Sequence, residues 1–203
     1  MKIAIIKYGM GNVSSVQKSL KKLGYDSIIT DDHIEIRQAD LIILPGVGSF
    51  QAGMENLQKS GLADFLTQEV VEKGKPFIGI CLGMQLLATL GNEPCKCNGL
   101  GWIDGEVKKI KSKLRIPHLG WNNVQITDNK KDFYREFDNL DYYFIHSYHF
   151  VVRDSKDATL MVTYDFPMVA ALQENNIYAM QFHPEKSQDA GMRLLKKIID
   201  QYA

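Results

Sequence analysis

The chain has 203 residues, 45% hydrophobic and 24% charged, with a formal net charge of +0. That length suits one globular domain with a full core, and the neutral balance offers no basic footprint for nucleic acid or an anionic membrane. The apolar runs are too short to span a bilayer, the first residues do not read as a signal peptide, and three cysteines are too few for a disulfide framework, so a reducing cytoplasm is expected.

Lys2 to Tyr8 reads as a buried strand, and Asn12 caps the helix that follows, with Val13, Val16, Leu20 and Leu23 at helical spacing and Gly24 as its stop. Asp26 to Thr30 and Leu41 to Leu44 are the next two strands, the latter ended by Pro45-Gly46. Gly53 to Lys73 is largely helical with a break near Ser60-Gly61, Pro76 to Ile80 is a strand, and Leu82 to Leu90 is expected to be a helix. Strand and helix alternating through short connections predict an α/β fold, a mainly parallel central sheet flanked by helices. The second half is richer in strands, some antiparallel: Glu106 to Ile110, Asn123 to Thr127, Tyr142 to Val152, Thr159 to Tyr164, Val169 to Gln173 and Ile177 to Phe182. A final helix from Gln188, capped by Ser187, turns Met192, Leu195 and Ile199 inward. No repeat or linker interrupts the chain, so residues 1–203 are read as one domain.

Open parallel sheets place their sites beyond the carboxyl ends of the strands. Three distinctive runs fall there: Tyr8-Gly9-Met10-Gly11-Asn12, Pro45-Gly46-Val47-Gly48, and Gly79-Ile80-Cys81-Leu82-Gly83. A lone cysteine is first read as a buried apolar residue. Glycines on both sides, between an apolar strand and a helix, instead make Cys81 the thiol of a nucleophile elbow. The turn is tight, so its neighbours must be small. The helix opening at Leu82 aims its positive end at the sulfur, and the Leu82 N–H is available to an oxyanion. Cys95 and Cys97 lack this setting and have no second ligand pair, so they are read as loop thiols, with no metal site and no cofactor expected.

A thiol nucleophile needs a base, and a base needs an orienting group. Of the five histidines, His183 ends an apolar strand and precedes Pro184-Glu185. Pro184 biases His183 to extended backbone, where alternate residues share a side, so Glu185 can support an imidazolium. His118 and His146 read as structural or pocket-lining, His33 as a surface residue among acids, and His149 as uninformative. Val47 lies between Gly46 and Gly48, where the backbone can approach a ligand closely; this loop is assigned the second oxyanion donor.

Gly79-Ile80-Cys81-Leu82-Gly83-Met84-Gln85 together with His183-Pro184-Glu185 resembles the class I (triad) glutamine amidotransferases, and the resemblance covers essentially the whole chain. Pro117-His118-Leu119-Gly120-Trp121-Asn122 and Lys186-Ser187 are similar to one branch, the glutaminase subunit of imidazole glycerol phosphate synthase. The resemblance implies a flavodoxin-like domain in which Cys81 attacks the side-chain amide of glutamine and His183 and Glu185 complete the triad. It places Val47, Gly48 and Leu82 at the oxyanion, and Gln85, Glu93, Ser147 and Tyr148 on the bound glutamine. Ammonia would pass to a (β/α)8-barrel synthase subunit, with Asn12, Trp121, Tyr143 and Lys186 towards that partner. Two positions depart from the pattern, Lys7 where the family usually has Asp and Thr89 where a large apolar residue is expected. They keep open a paralogue that feeds a sugar amidotransferase. A cysteine peptidase of the same elbow type and a non-catalytic binding module are the other readings.

Overall fold

The computed structural model describes residues 1–127 and 131–203. It opens on β1 (Lys2–Ile6), followed by α1 (Val13–Lys22), whose first turn is capped by the Asn12 side chain accepting the Ser15 N–H at 3.3 Å. Next come β2 (Asp26–Thr30), α2 (His33–Gln38), β3 (Leu41–Gly46), α3 (Phe50–Lys59) and α4 (Leu62–Thr67), which runs into a π-helical turn over Gln68–Glu72. After β4 (Phe77–Cys81) the chain makes the short α5 (Leu82–Gln85), then β5 (Ala88–Asn92), β6 (Lys96–Asn98), β7 (Ile103–Lys109) and β8 (His118–Ile126). The remainder is α6 (Lys131–Tyr134), β9 (Asp141–His146), β10 (Tyr148–Val152), β11 (Ala158–Tyr164), β12 (Phe166–Glu174), β13 (Ile177–Met180) and α7 (Gln188–Asp200).

The large sheet has nine strands in the order β2-β1-β3-β4-β13-β12-β11-β8-β9. Its first five strands are parallel and the rest add antiparallel. Within the parallel half, β1, β3, β4 and β13 are buried on both faces, as their apolar runs require, while the edge strand β2 is only partly buried. Along β1, Ala4 and Ile6 face a core shared with α3 and α4, while Ile3 and Ile5 face one shared with α1 and α7. A second sheet, β10-β7-β5-β6, lies beside this body.

Several sequence expectations are corrected. The helix after Cys81 ends at Gln85, and residues 88–90, expected to continue it, belong to β5, which pairs with β7. Thr89 is therefore an exposed strand residue within 3.4 Å of Asp104, which removes the need for a large apolar side chain there. Lys7 is exposed beyond the end of β1. The strand expected over Tyr142 to Val152 breaks at Ser147 into β9 in the large sheet and β10 in the small one. Helix α2 was not anticipated, and it carries His33, which stacks on Phe65 at 4.1 Å between centroids. Ser187 holds the N-cap position of α7 without capping it; its hydroxyl donates to the His183 carbonyl at 2.6 Å and accepts from the Tyr143 N–H at 3.0 Å. Met192 is only half-buried, whereas Leu195 and Ile199 are in the core; Cys97 lies in β6, not in a loop.

Candidate active site

Cys81 is the last residue of β4, in register with Gly46 at the end of β3. Its backbone sits at φ 55, ψ −109, a conformation that a non-glycine residue adopts only when its surroundings enforce it. Those surroundings are glycines. A Cβ on Gly83 would stand 1.8 Å from the Leu44 carbonyl oxygen, and one on Gly79 would stand 2.9 Å from the Gly83 carbonyl oxygen. The elbow is thus pressed against β3 by backbone contacts that only hydrogen can fill.

β13 pairs with β4 in parallel, so its carboxyl end delivers His183 beside Cys81. His183 is buried, in extended backbone, and its Nδ1 lies 2.8 Å from Glu185 Oε1. Glu185 belongs to a 3-10 turn over Pro184–Lys186, not to the strand, yet its side chain still reaches the ring and is only 1% exposed. Three hydrogen bonds lock the histidine backbone: its N–H donates to the Tyr143 carbonyl at 3.0 Å, and its carbonyl accepts from the Ser187 hydroxyl and the Lys186 N–H. His183 Nε2 is buried, lacks an ordinary-length hydrogen bond among the described residues, and faces the Cys81 thiol. Burial alone would push the imidazole pKa down; the Cys81 thiol and the Glu185 carboxylate outweigh it and raise it to about 9.

A cavity of about 420 Å³ opens over the sulfur. Val47, Gly48, Cys81, Leu82, Gln85, Glu93, Ser147, Tyr148 and His183, all singled out from sequence, line it. Glu185 stands behind His183 and outside the lining. Glu93 accepts the Phe50 N–H at the amino end of α3 at 3.2 Å, and burial raises its carboxyl pKa against that bond. Both N–H groups of the Gln85 amide are spent inside the protein, on the Tyr148 carbonyl and on Gln181 Oε1, each at 2.9 Å. Its carbonyl oxygen is left as the group to meet a ligand. Gln181 itself escaped the sequence reading; it is fully buried, and its amide nitrogen lies 3.7 Å from the Cys81 sulfur. The signal was there in a polar residue ending an apolar strand.

The Pro45–Gly48 loop is packed from behind by the Tyr8–Asn12 run. A Cβ on Gly11 would meet the Pro45 carbonyl oxygen at 2.8 Å, and one on Gly48 would meet the Met10 methyl at 2.6 Å. Of the four residues expected to face a partner, Trp121 and Tyr143 are opposite one another in β8 and β9 with ring centroids 6.0 Å apart, and the Lys186 ammonium lies 5.8 Å from the Tyr143 ring. Asn12 is exposed and its side chain is engaged in capping α1, accepting the Ser15 N–H.

The family described as Glutamine amidotransferase class-I matches residues 4–201. The chain is 44% identical over 201 residues to imidazole glycerol phosphate synthase subunit HisH 2 of Methanococcus maripaludis, covering 98% of this chain and 99% of the relative. It is 44% identical over 194 residues to the subunit HisH of Moorella thermoacetica, covering 96% and 92%. Against HisH 2 of Pseudomonas aeruginosa the identity is 40% over 200 residues, covering 98% of each. Among solved structures, that of PurLQS from Thermotoga maritima superposes with a TM-score of 0.76 at 19% identity over 100% of this chain and 99% of that one, which shows a shared fold. By family match and by full-length relatives, the chain belongs to the class I glutamine amidotransferases.

Proposed function

We propose that the chain is the glutaminase subunit of an imidazole glycerol phosphate synthase. In this reading it hydrolyses glutamine to glutamate and ammonia and passes the ammonia to a (β/α)8-barrel synthase subunit making imidazole glycerol phosphate and AICAR in histidine biosynthesis. The observation that carries it is the pair Cys81 and His183 lining a cavity of about 420 Å³, with Glu185 bonded to the far side of the imidazole at 2.8 Å. The Cys81 thiolate adds to the side-chain amide carbonyl. The oxyanion is met by N–H groups of the Val47–Gly48 loop and of Leu82. His183, held by Glu185, gives its Nε2 proton to the departing ammonia, leaving a glutamyl thioester. Water then attacks with His183 as base, releasing glutamate and the thiol. Gln85, Glu93, Ser147 and Tyr148 orient the glutamine. An oxyanion-loop peptide turned away in the absence of partner would keep glutamine from being wasted.

The partner reading is supported by an apolar face at the cavity mouth. Leu119 and Trp121 on β8 are 58% and 47% exposed, opposite Ile145 and Tyr143 on β9, and Val47 and Ile145 also line the cavity. Exposed aromatic and aliphatic anchors beside a site are what an interface needs. We further propose that residues 1–203 act as one domain and work in the cytoplasm; the three thiols are free, and no helix among the described residues is long and apolar enough to cross a membrane.

The test is glutamine-dependent product formation with a barrel synthase of the histidine pathway, with Cys81→Ala as the control. A chain that releases no glutamate in that complex would refute the reading. Numbered names among the relatives, HisH 1 and HisH 2, favour keeping a second reading in which the same glutaminase supplies a sugar amidotransferase. Activity with that synthase and not with the barrel of the histidine pathway would select it.

A further inference from the structure

Two histidines take no part in the proposed reaction, and their hydrogen bonds fit one arrangement of protons. His118 is 2% exposed and His146 6%. His146 Nδ1 lies 2.8 Å from the Tyr148 carbonyl oxygen, which can only accept, so Nδ1 carries a proton. A neutral His146 then accepts at Nε2, 2.9 Å from His118 Nδ1, which must donate. His118 Nε2 is left as an acceptor 3.3 Å from the Asn122 amide nitrogen, which also donates to the Thr163 carbonyl at 3.0 Å. Burial pushes His118 down to about 4 and His146 down to about 3, which agrees with two neutral rings. Phe144 and Tyr164 stack on the His118 ring at 4.8 and 4.1 Å and fix its plane.

The run does not stop at Tyr148. Its carbonyl also accepts from Gln85, the other N–H of Gln85 goes to Gln181, and Gln181 points its own amide at the Cys81 sulfur. An unbroken series of hydrogen bonds therefore joins Asn122, next to the exposed Trp121 on β8, to the thiol.

We propose that His118, His146 and Gln181 are positioning residues for the glutaminase reaction, acting as one neutral chain that fixes the Tyr148 carbonyl and the Gln85 amide and aims a donor at Cys81. The proposal rests on the glutaminase reading. Both nitrogens of each ring are committed within the chain, so neither histidine serves as an acid or base. The outer end of the chain, Asn122, lies on β8 beside the exposed Trp121.

The test uses the full chain with its synthase partner. His118→Phe keeps the stacked ring and deletes both hydrogen bonds, whereas His118→Gln retains a donor and an acceptor. We expect kcat/KM for glutamine to fall at least about tenfold in His118→Phe and in Gln181→Leu, and most of it to return in His118→Gln. The double variant His118→Phe/Gln181→Leu should be no more than about twofold below the worse single, because two links of one chain fail together. In ¹⁵N NMR of the full chain, both imidazoles should be neutral and protonated at Nδ1 from about pH 6 to 9. If His118→Phe does not fold, Asn122→Leu breaks the half-exposed end and should show the same coupling to Gln181→Leu. Wild-type kcat/KM in the single variants, losses that multiply in the double, or an Nε2–H tautomer at either ring would overturn the proposal. A wild-type chain without glutaminase activity would sink the function instead, and the tautomers would still decide the chain.

Discussion

Gly83→Ala is the sharpest probe of the elbow. The added Cβ would lie 1.8 Å from the Leu44 carbonyl oxygen, and ordinary contact begins at 3.4 Å, so 3.4 − 1.8 = 1.6 Å of separation must be found. The obstacle is backbone in a buried strand between two others, so it cannot yield; the elbow helix α5 must retreat. Cys81 and Leu82 go with it. Overpacking of this kind costs about 1–3 kcal/mol of stability. A misplacement of about 1 Å at the reacting atoms costs on the order of a hundredfold in rate. Gly79→Ala is the internal comparison, since its deficit is only 3.4 − 2.9 = 0.5 Å. The assay is glutamate release in the complex alongside thermal unfolding of each variant. Gly83→Ala should lose about a hundredfold in kcat and Gly79→Ala much less. Equal activity in both, or a Gly83→Ala chain with wild-type rate and stability, would refute the argument that backbone packing places the thiol.

Cys81→Ala should abolish glutamine hydrolysis and leave partner binding unchanged, measured by isotope-labelled glutamine and by calorimetric titration. Glu185→Gln removes the carboxylate that helps hold the His183 imidazole up near 9, so an NMR titration of that ring should move to lower pH; an unmoved midpoint would dismiss the orienting role. Trp121→Ala, at a 47% exposed position, should weaken the complex by about 2 kcal/mol or more while changing the stability of the free chain by roughly 0.5 kcal/mol or less. Folding should also weaken in acid. His118 titrates near 4 in the folded chain against about 6.5 unfolded, so the unfolded state takes the proton first as pH falls. That stability is present in full above about pH 6.5 and is lost towards 4, up to about 3 kcal/mol for this one group. Urea midpoints against pH should fall less steeply in His118→Phe, and parallel curves would rule the effect out.

The parallel half of the sheet was legible because β1, β3, β4 and β13 are largely apolar runs, most with a turn signal behind them, and such runs have one stable home, between two layers of helices. The neighbourhood of Cys81 and His183, proposed as catalytic, was legible for a related reason. Strand ends in that topology converge, so a cysteine between glycines and a histidine ending an apolar strand were bound to be neighbours once β4 and β13 paired. Periodicity failed just after the thiol. Leu82 to Leu90 reads as one helix, but a leucine-rich run cannot tell a buried helix from a turn feeding a strand, and tertiary pairing of β5 with β7 decided it. It failed again at Tyr142 to Val152, where both halves carry strand-forming residues and nothing local marks the change of sheet.

That second failure falls at the site itself. Ser147, between β9 and β10, leaves the large sheet for the small one, and the bend turns the Tyr148 carbonyl towards Gln85 and His146. A continuous strand would have spent that carbonyl on a neighbour in the same ladder. Bending it out creates a buried acceptor that must be satisfied. Two donors from different elements do so, one from the helix that follows the nucleophile and one from the strand that faces solvent beside Trp121. The same bend contributes Ser147 and Tyr148 to the cavity wall. The break that pattern reading misses thus shapes the proposed glutamine pocket and ties the outer strands to the thiol at Cys81.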